Sequence, residues 1–153
     1  HIQLLQKVFF SVNQQNKSKD FETIINEFFQ SYNIIWDFRY ILRDNFQKYF
    51  EDDKSITKTI TDINNYLDKW AENRILHSHE SGLIKINSKE IKNLSEITLV
   101  LGRYWLDFSM KKYPGVNISS LRLKGLKHIV TVLSPYLNPQ GIPTIENMLK
   151  QLK

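Results

Sequence analysis

Apolar side chains return at intervals of three and four residues through nearly the whole chain, and that period suits the α-helix. Phe21, Ile24, Ile25, Phe28, Phe29 and Tyr32 stand at i, i+3, i+4, i+7, i+8 and i+11, positions that 3.6 residues per turn gather on one side. Asp20 precedes them, where an N-cap carboxylate accepts from the first unpaired amides. From Ile34 to Phe50 the apolar residues Trp36, Phe38, Tyr40, Ile41, Leu42, Phe46, Tyr49 and Phe50 are too dense for one stripe. A second helix is expected there, buried between neighbours. Beyond the polar break at residues 51–54, Ile56, Ile60, Ile63, Leu67 and Trp70 resume a stripe predicted to reach Ile75 or Leu76. Residues 77–82 then read as a connection and residues 83–86 as a short extended link. Ser88 reads as the cap of a long helix bearing Ile91, Leu94, Thr98, Leu101, Trp105 and Phe108 on its inward side and stopped by Pro114 and Gly115. Leu123, Leu126, Ile129, Val130, Leu133 and Leu137 mark another helix, broken at residues 138–141, and residues 143–152 make a last short one. Alternation of period two is nowhere sustained. The expected fold is all-α, an antiparallel bundle of about six helices in a single domain over residues 1–153.

Chemistry is harder to find than structure. Cysteine is absent, which removes disulfide frameworks, thiolate metal sites and cysteine nucleophiles. The formal charge of +5 comes from 21 basic and 16 acidic residues interspersed along the chain, so no basic face for direct nucleic-acid binding is expected. No apolar run approaches the ~18 residues of a membrane span. His77, His79 and Glu80 are the one metal-like cluster, and a solvated turn explains them without a metal. Walker, dinucleotide-binding and nucleophile-elbow motifs are missing. Asp37 and Asp44 read as salt-bridge partners for Arg39, Arg43 or Arg74 rather than as a catalytic pair. No catalytic residue, metal or cofactor is therefore expected, and His77, His79 and Asp37 are the least poor candidates if the protein is an enzyme.

The aromatic load is unusual. Tyr32, Trp36, Phe38, Tyr40, Trp70, Tyr104, Trp105 and Phe108 come from several helices, at or near inward positions. Flat rings with a few arginines among them can line an apolar pocket between helices, and they can equally fill a core. Their order is the more telling feature. Phe28-Phe29-x-x-Tyr32 leads into Trp36-Asp37-Phe38-Arg39-Tyr40-Ile41-Leu42-Arg43-Asp44; Leu67-x-x-Trp70-x-x-Asn73-Arg74 follows, and then Leu99-Val100-Leu101-Gly102-Arg103-Tyr104-Trp105-Leu106. Over residues 21–112 this resembles the C-terminal ligand-binding and dimerisation domain of TetR/AcrR-type transcriptional regulators. The resemblance implies a cytoplasmic homodimer that binds a hydrophobic or aromatic small-molecule effector. It implies a pocket built from Phe28, Tyr32, Trp36, Arg39, Tyr40, Trp70, Arg74, Arg103, Tyr104 and Trp105, and a two-fold interface including His128, Val132, Leu133 and Leu137. The family's N-terminal helix-turn-helix domain has no counterpart here, since residues 3–15 correspond at most to the linking helix. The chain is thus expected to be the sensor half, touching DNA only through a domain absent from it. The alternative is a helical protein–protein interaction module without a small-molecule site.

Overall fold

The computed structural model describes residues 19–41 and 48–152. Five α-helices occur among them: α1 (Phe21–Asp37), α2 (Lys54–Glu80), α3 (Ile91–Lys112), α4 (Ile118–Leu133) and α5 (Ile142–Gln151). The all-α bundle expected from the periodicity is the fold, with five helices described against the six or so anticipated. The expected linking helix at residues 3–15 lies outside the described residues, as do Arg43 and Asp44. None of the described helices is long and apolar enough to cross a membrane.

Side-chain caps set where several helices begin. The Asp20 carboxylate accepts from the Thr23 amide and hydroxyl, both at 2.9 Å, and the Thr23 bonds hold its pKa below the usual aspartate value. Asp53 accepts from the Ser55 and Ile56 amides at the head of α2, and Asn117 from the Ser119 amide at the head of α4. Asn87, rather than Ser88, caps the entry to α3, and a 3₁₀ turn over Ser88–Glu90 precedes the helix proper.

Three boundaries differ from the sequence reading: α4 ends at Leu133, ahead of the break expected at residues 138–141, and the other two lie at the ends of α1 and α2. The break expected between Tyr32 and Ile34 does not exist, because α1 runs on to Asp37 before turning through Phe38 to Ile41. Ile34 and Ile35 are thereby the end of the first helix. The connection expected at residues 77–82 is mostly helix, and α2 reaches Glu80 with Gly82 at φ +82° just beyond. Serine and histidine disfavour a helix only weakly, and Ser78 bonds back to the Arg74 carbonyl at 2.8 Å, so nothing stops the helix before the glycine.

The extended link was correctly placed. Ile84 and Leu137 form an antiparallel bridge, the Lys85 amide donates to the Tyr136 carbonyl and the Asn138 amide to the Leu83 carbonyl, both at 2.8 Å. This staple joins the α2–α3 connection to the α4–α5 connection.

Helix α3 lies between α2 and α4 and also meets α1. The main core gathers Ile24, Ile25, Phe29, Tyr32 and Trp36 of α1 with Trp105 of α3 and Leu121, Leu126 and Ile129 of α4. A smaller cluster of Ile35, Ile41, Ile63 and Leu67 seals the far end of α1 against α2. At the centre Tyr32 donates to the Arg122 carbonyl at 2.8 Å and the Trp105 indole to the Leu121 carbonyl at 2.7 Å. Both reach the α4 backbone beside Gly125. A β-carbon there would stand 2.4 Å from Trp105 Cδ1 and 2.6 Å from the Tyr32 hydroxyl.

Gly125→Ala is accordingly expected to destabilise the fold by about 1–3 kcal/mol through overpacking, despite the ~1 kcal/mol that alanine gains in a helix interior. Gly102→Ala is the control, since its β-carbon would meet only Ile129 at 4.0 Å, and it should be neutral or stabilising by up to ~1 kcal/mol. Urea denaturation of both variants checks the opposite signs.

Candidate functional site

Two spaces between the helices, lined by described residues, bear on function. The first is an apolar cavity of about 80 Å³ to which all five helices contribute. Helix α1 supplies Ile24, Ile25, Phe28, Phe29, Tyr32 and Ile35; α2 supplies Trp70, Ala71, Arg74, Ile75 and Ser78; α3 supplies Thr98, Leu99 and Gly102; α4 supplies Ile129, Val130 and Leu133. Leu83, Ile84, Leu137 and Ile145 complete the wall. The amphipathic stripes that fold the bundle thus point at the same space. The second is a groove of about 580 Å³ between α2 and α3, edged by Asp68, Lys69, Glu72, Lys92, Glu96, Arg103 and Tyr104. Ile35 and Leu99 line both spaces, so these two side chains form the partition between them.

The polar groups of the cavity wall are engaged within the protein. Arg74, the one charged residue among the described wall residues, pairs with the Glu27 carboxylate of α1 and ties α1 to α2. Both side chains are largely shielded, at 16% and 10% exposure. Burying either charge alone would be costly, so each makes the other's position tolerable. The Tyr32 hydroxyl donates to the Arg122 carbonyl, Ser78 to the Arg74 carbonyl and Thr98 to the Ser95 carbonyl. Burial raises the Tyr32 pKa well above the ordinary tyrosine value of 10.0 and holds its hydroxyl in the donating, neutral form.

The sequence-predicted residues separate into three groups. Phe28, Tyr32, Trp70 and Arg74 line the apolar cavity, whereas Arg103 and Tyr104 line the groove. Trp36, Arg39, Tyr40 and Trp105 line neither. Trp36 is buried and stacks on Tyr32 with ring centroids 6.2 Å apart. Arg39 lies over the Trp36 ring, 4.9 Å from its centroid, and donates to the Trp36 carbonyl. Tyr40 is exposed, and Trp105 is buried against α4. Trp36 and Trp105 fill the core rather than surround a void.

On α4, His128 and Val132 are half-buried, and His128 meets Trp105 edge-on at 4.6 Å. Leu133 is buried in its own chain's core, and Leu137 is half-buried and lines the cavity. Phe108 departs from its expected place. It was placed on the inward stripe but is 55% exposed, and it joins Ile97, Val100 and Tyr104 in an outward row. That row also has the spacing i, i+3, i+7, i+11. The sequence therefore carried the signal, but α3 has two apolar faces and its period does not say which one the bundle covers.

His77 and His79 stand near the end of α2, where two residues of helix set them about 200° apart. No group of three histidine, cysteine, aspartate or glutamate residues is placed to hold a metal among the described residues. Asp37 closes α1 at the surface. Of the carboxylates considered for Arg74, the structure supplies a different one, Glu27, which stands among apolar neighbours and gives no periodic signal of its own.

A family model described as TetR, a bacterial transcriptional repressor, matches residues 6–144. Neither a curated protein nor a solved structure matches the chain.

Glu27→Gln should lower stability, toward the lower end of the ~3–5 kcal/mol typical of breaking a buried pair, since both groups keep some contact with water. Replacing both partners by apolar residues, Glu27→Leu with Arg74→Met, should recover most of that loss. Chemical denaturation of the single and double variants measures the difference.

Proposed function

Because the chain belongs to the TetR family of bacterial transcriptional repressors, we propose that these residues are the effector-sensing and dimerising part of such a regulator. The observation that carries this reading is the apolar cavity walled by all five helices. Its volume of about 80 Å³ is well below the ~300–1,000 Å³ of drug-sized ligand sites. A larger effector would therefore have to displace part of the wall. Signalling needs this property, because a ligand shifts an equilibrium only by binding one shape better than the other. Ile35 and Leu99 are the natural yielding point, since moving them joins the cavity to the groove behind them.

Helix α1 is the natural reporter. It supplies six wall residues, and it stands nearest the N-terminal side, from which a helix-turn-helix head would be driven. Expansion of the cavity would push α1 outward and change the spacing of the two heads in a dimer. Control of DNA affinity is thereby indirect, and the place of action is the cytoplasm.

The pairing surface in this reading is the outward row of α3, Ile97, Val100, Tyr104 and Phe108, flanked by His128 and Val132 of α4. A two-fold interface must be self-complementary, and an apolar row crossing its own copy satisfies that requirement. Val100 and Tyr104 also line the groove, which puts the pairing surface beside the route by which the cavity would open.

Sedimentation equilibrium should give twice the 18.2 kDa chain mass, and Phe108→Asp combined with Val100→Asp should give a folded monomer. In a thermal-shift panel of neutral, anionic and cationic hydrophobic compounds, a true effector at a hundredfold excess over its Kd should stabilise by about 2.7 kcal/mol, roughly 5–10 °C in Tm. A dimer that no compound stabilises would instead be a helical interaction module.

A further inference from the structure

We infer that the effector is a neutral, apolar molecule, and that the cavity rejects carboxylates and ammonium ions of the same size. The inference rests on the sensing role proposed above and adds the chemical class of the ligand. Its basis is the way the wall's polar groups are already occupied. A carboxylate entering the cavity would need donors, but the hydroxyls of Tyr32, Ser78 and Thr98 give their protons to main-chain carbonyls. Arg74 is neutralised by Glu27, so an anion would have to expel that carboxylate from its place. An ammonium ion meets the converse difficulty. Arg74 would repel it, and the carboxylate it needs is engaged. The rings of Phe28, Tyr32 and Trp70 offer a cation–π attraction of about 2 kcal/mol or somewhat more once desolvated, less than the cost of stripping water from an unpaired charge. A neutral hydrocarbon meets neither obstacle. It gains by burial against isoleucine, leucine and aromatic side chains and asks the wall for no hydrogen bond or counter-charge.

Three probes of one skeleton test this: toluene, benzoate and benzylammonium, each titrated into the intact chain at matched concentration and followed by thermal shift and calorimetry. Toluene is expected to bind saturably and raise Tm by several degrees, with the two ions at least tenfold weaker. Ala71→Leu, which fills the cavity from α2, should abolish toluene binding; if that variant misfolds, the three-probe comparison on the natural chain still decides. Glu27→Gln should leave toluene binding nearly unchanged and raise benzoate affinity at least severalfold, because Arg74 then lacks its neutralising carboxylate. Benzoate or benzylammonium binding the natural chain as tightly as toluene would overturn the neutral class while leaving the sensing role standing. If none of the three binds, and the wider panel is silent too, the sensing role fails together with this inference.

Discussion

The bundle depends on a missing side chain. At Gly125 the surface of α4 is bare backbone, and the Tyr32 hydroxyl and Trp105 indole press into the space from α1 and α3. Side chains on a helix lean toward its N-terminus, so a residue at position 125 would cover the turn that holds the Leu121 and Arg122 carbonyls. Glycine leaves those oxygens accessible to the two aromatic donors. Three helices are thereby locked in register by two hydrogen bonds and close ring-to-backbone packing. The Tyr32–Trp36 stack and the Trp105–His128 contact extend the lock to either side.

This arrangement also decides where space remains. Trp36 and Trp105 are consumed in the lock, and the cavity remains where isoleucines and phenylalanines of α1 share its wall with Ala71 and Gly102. Two of the wall residues are thus too small to fill the room in front of them. The Glu27–Arg74 pair bridges α1 and α2 beside this space. It is compatible with an apolar interior because neither charge faces the cavity without its partner. Rigidity on the Gly125 side and a movable two-residue partition at Ile35 and Leu99 give the interior one fixed wall and one that can yield.

Much of this was legible from residue spacing. The stripes on α1, α2 and α4, the stop after Lys112 and the short extended link follow from period, cap and turn chemistry, all of which act over a few residues. The helix ends at Asp37 and Glu80 were less legible, because the residues there tolerate helix and coil almost equally. Of the ten residues named for the pocket, Phe28, Tyr32, Trp70 and Arg74 line the apolar cavity. The choice of aromatics was guided by size, whereas the cavity is defined by where side chains are small or short. Ala71, Gly102 and Ser78 carry no signal of that kind in one sequence.

The sequence by itself determined that the chain folds into amphipathic helices, where most of them start, and which residues are apolar enough to be buried, because those properties are set by neighbours within two turns. The tertiary structure alone decided which of the two apolar faces of α3 is covered, that Glu27 is the partner of Arg74, and that Gly125 is the contact point of three helices. Each of these depends on the distance between segments tens of residues apart, and that distance is fixed by packing the helices against one another rather than by the period within any one of them.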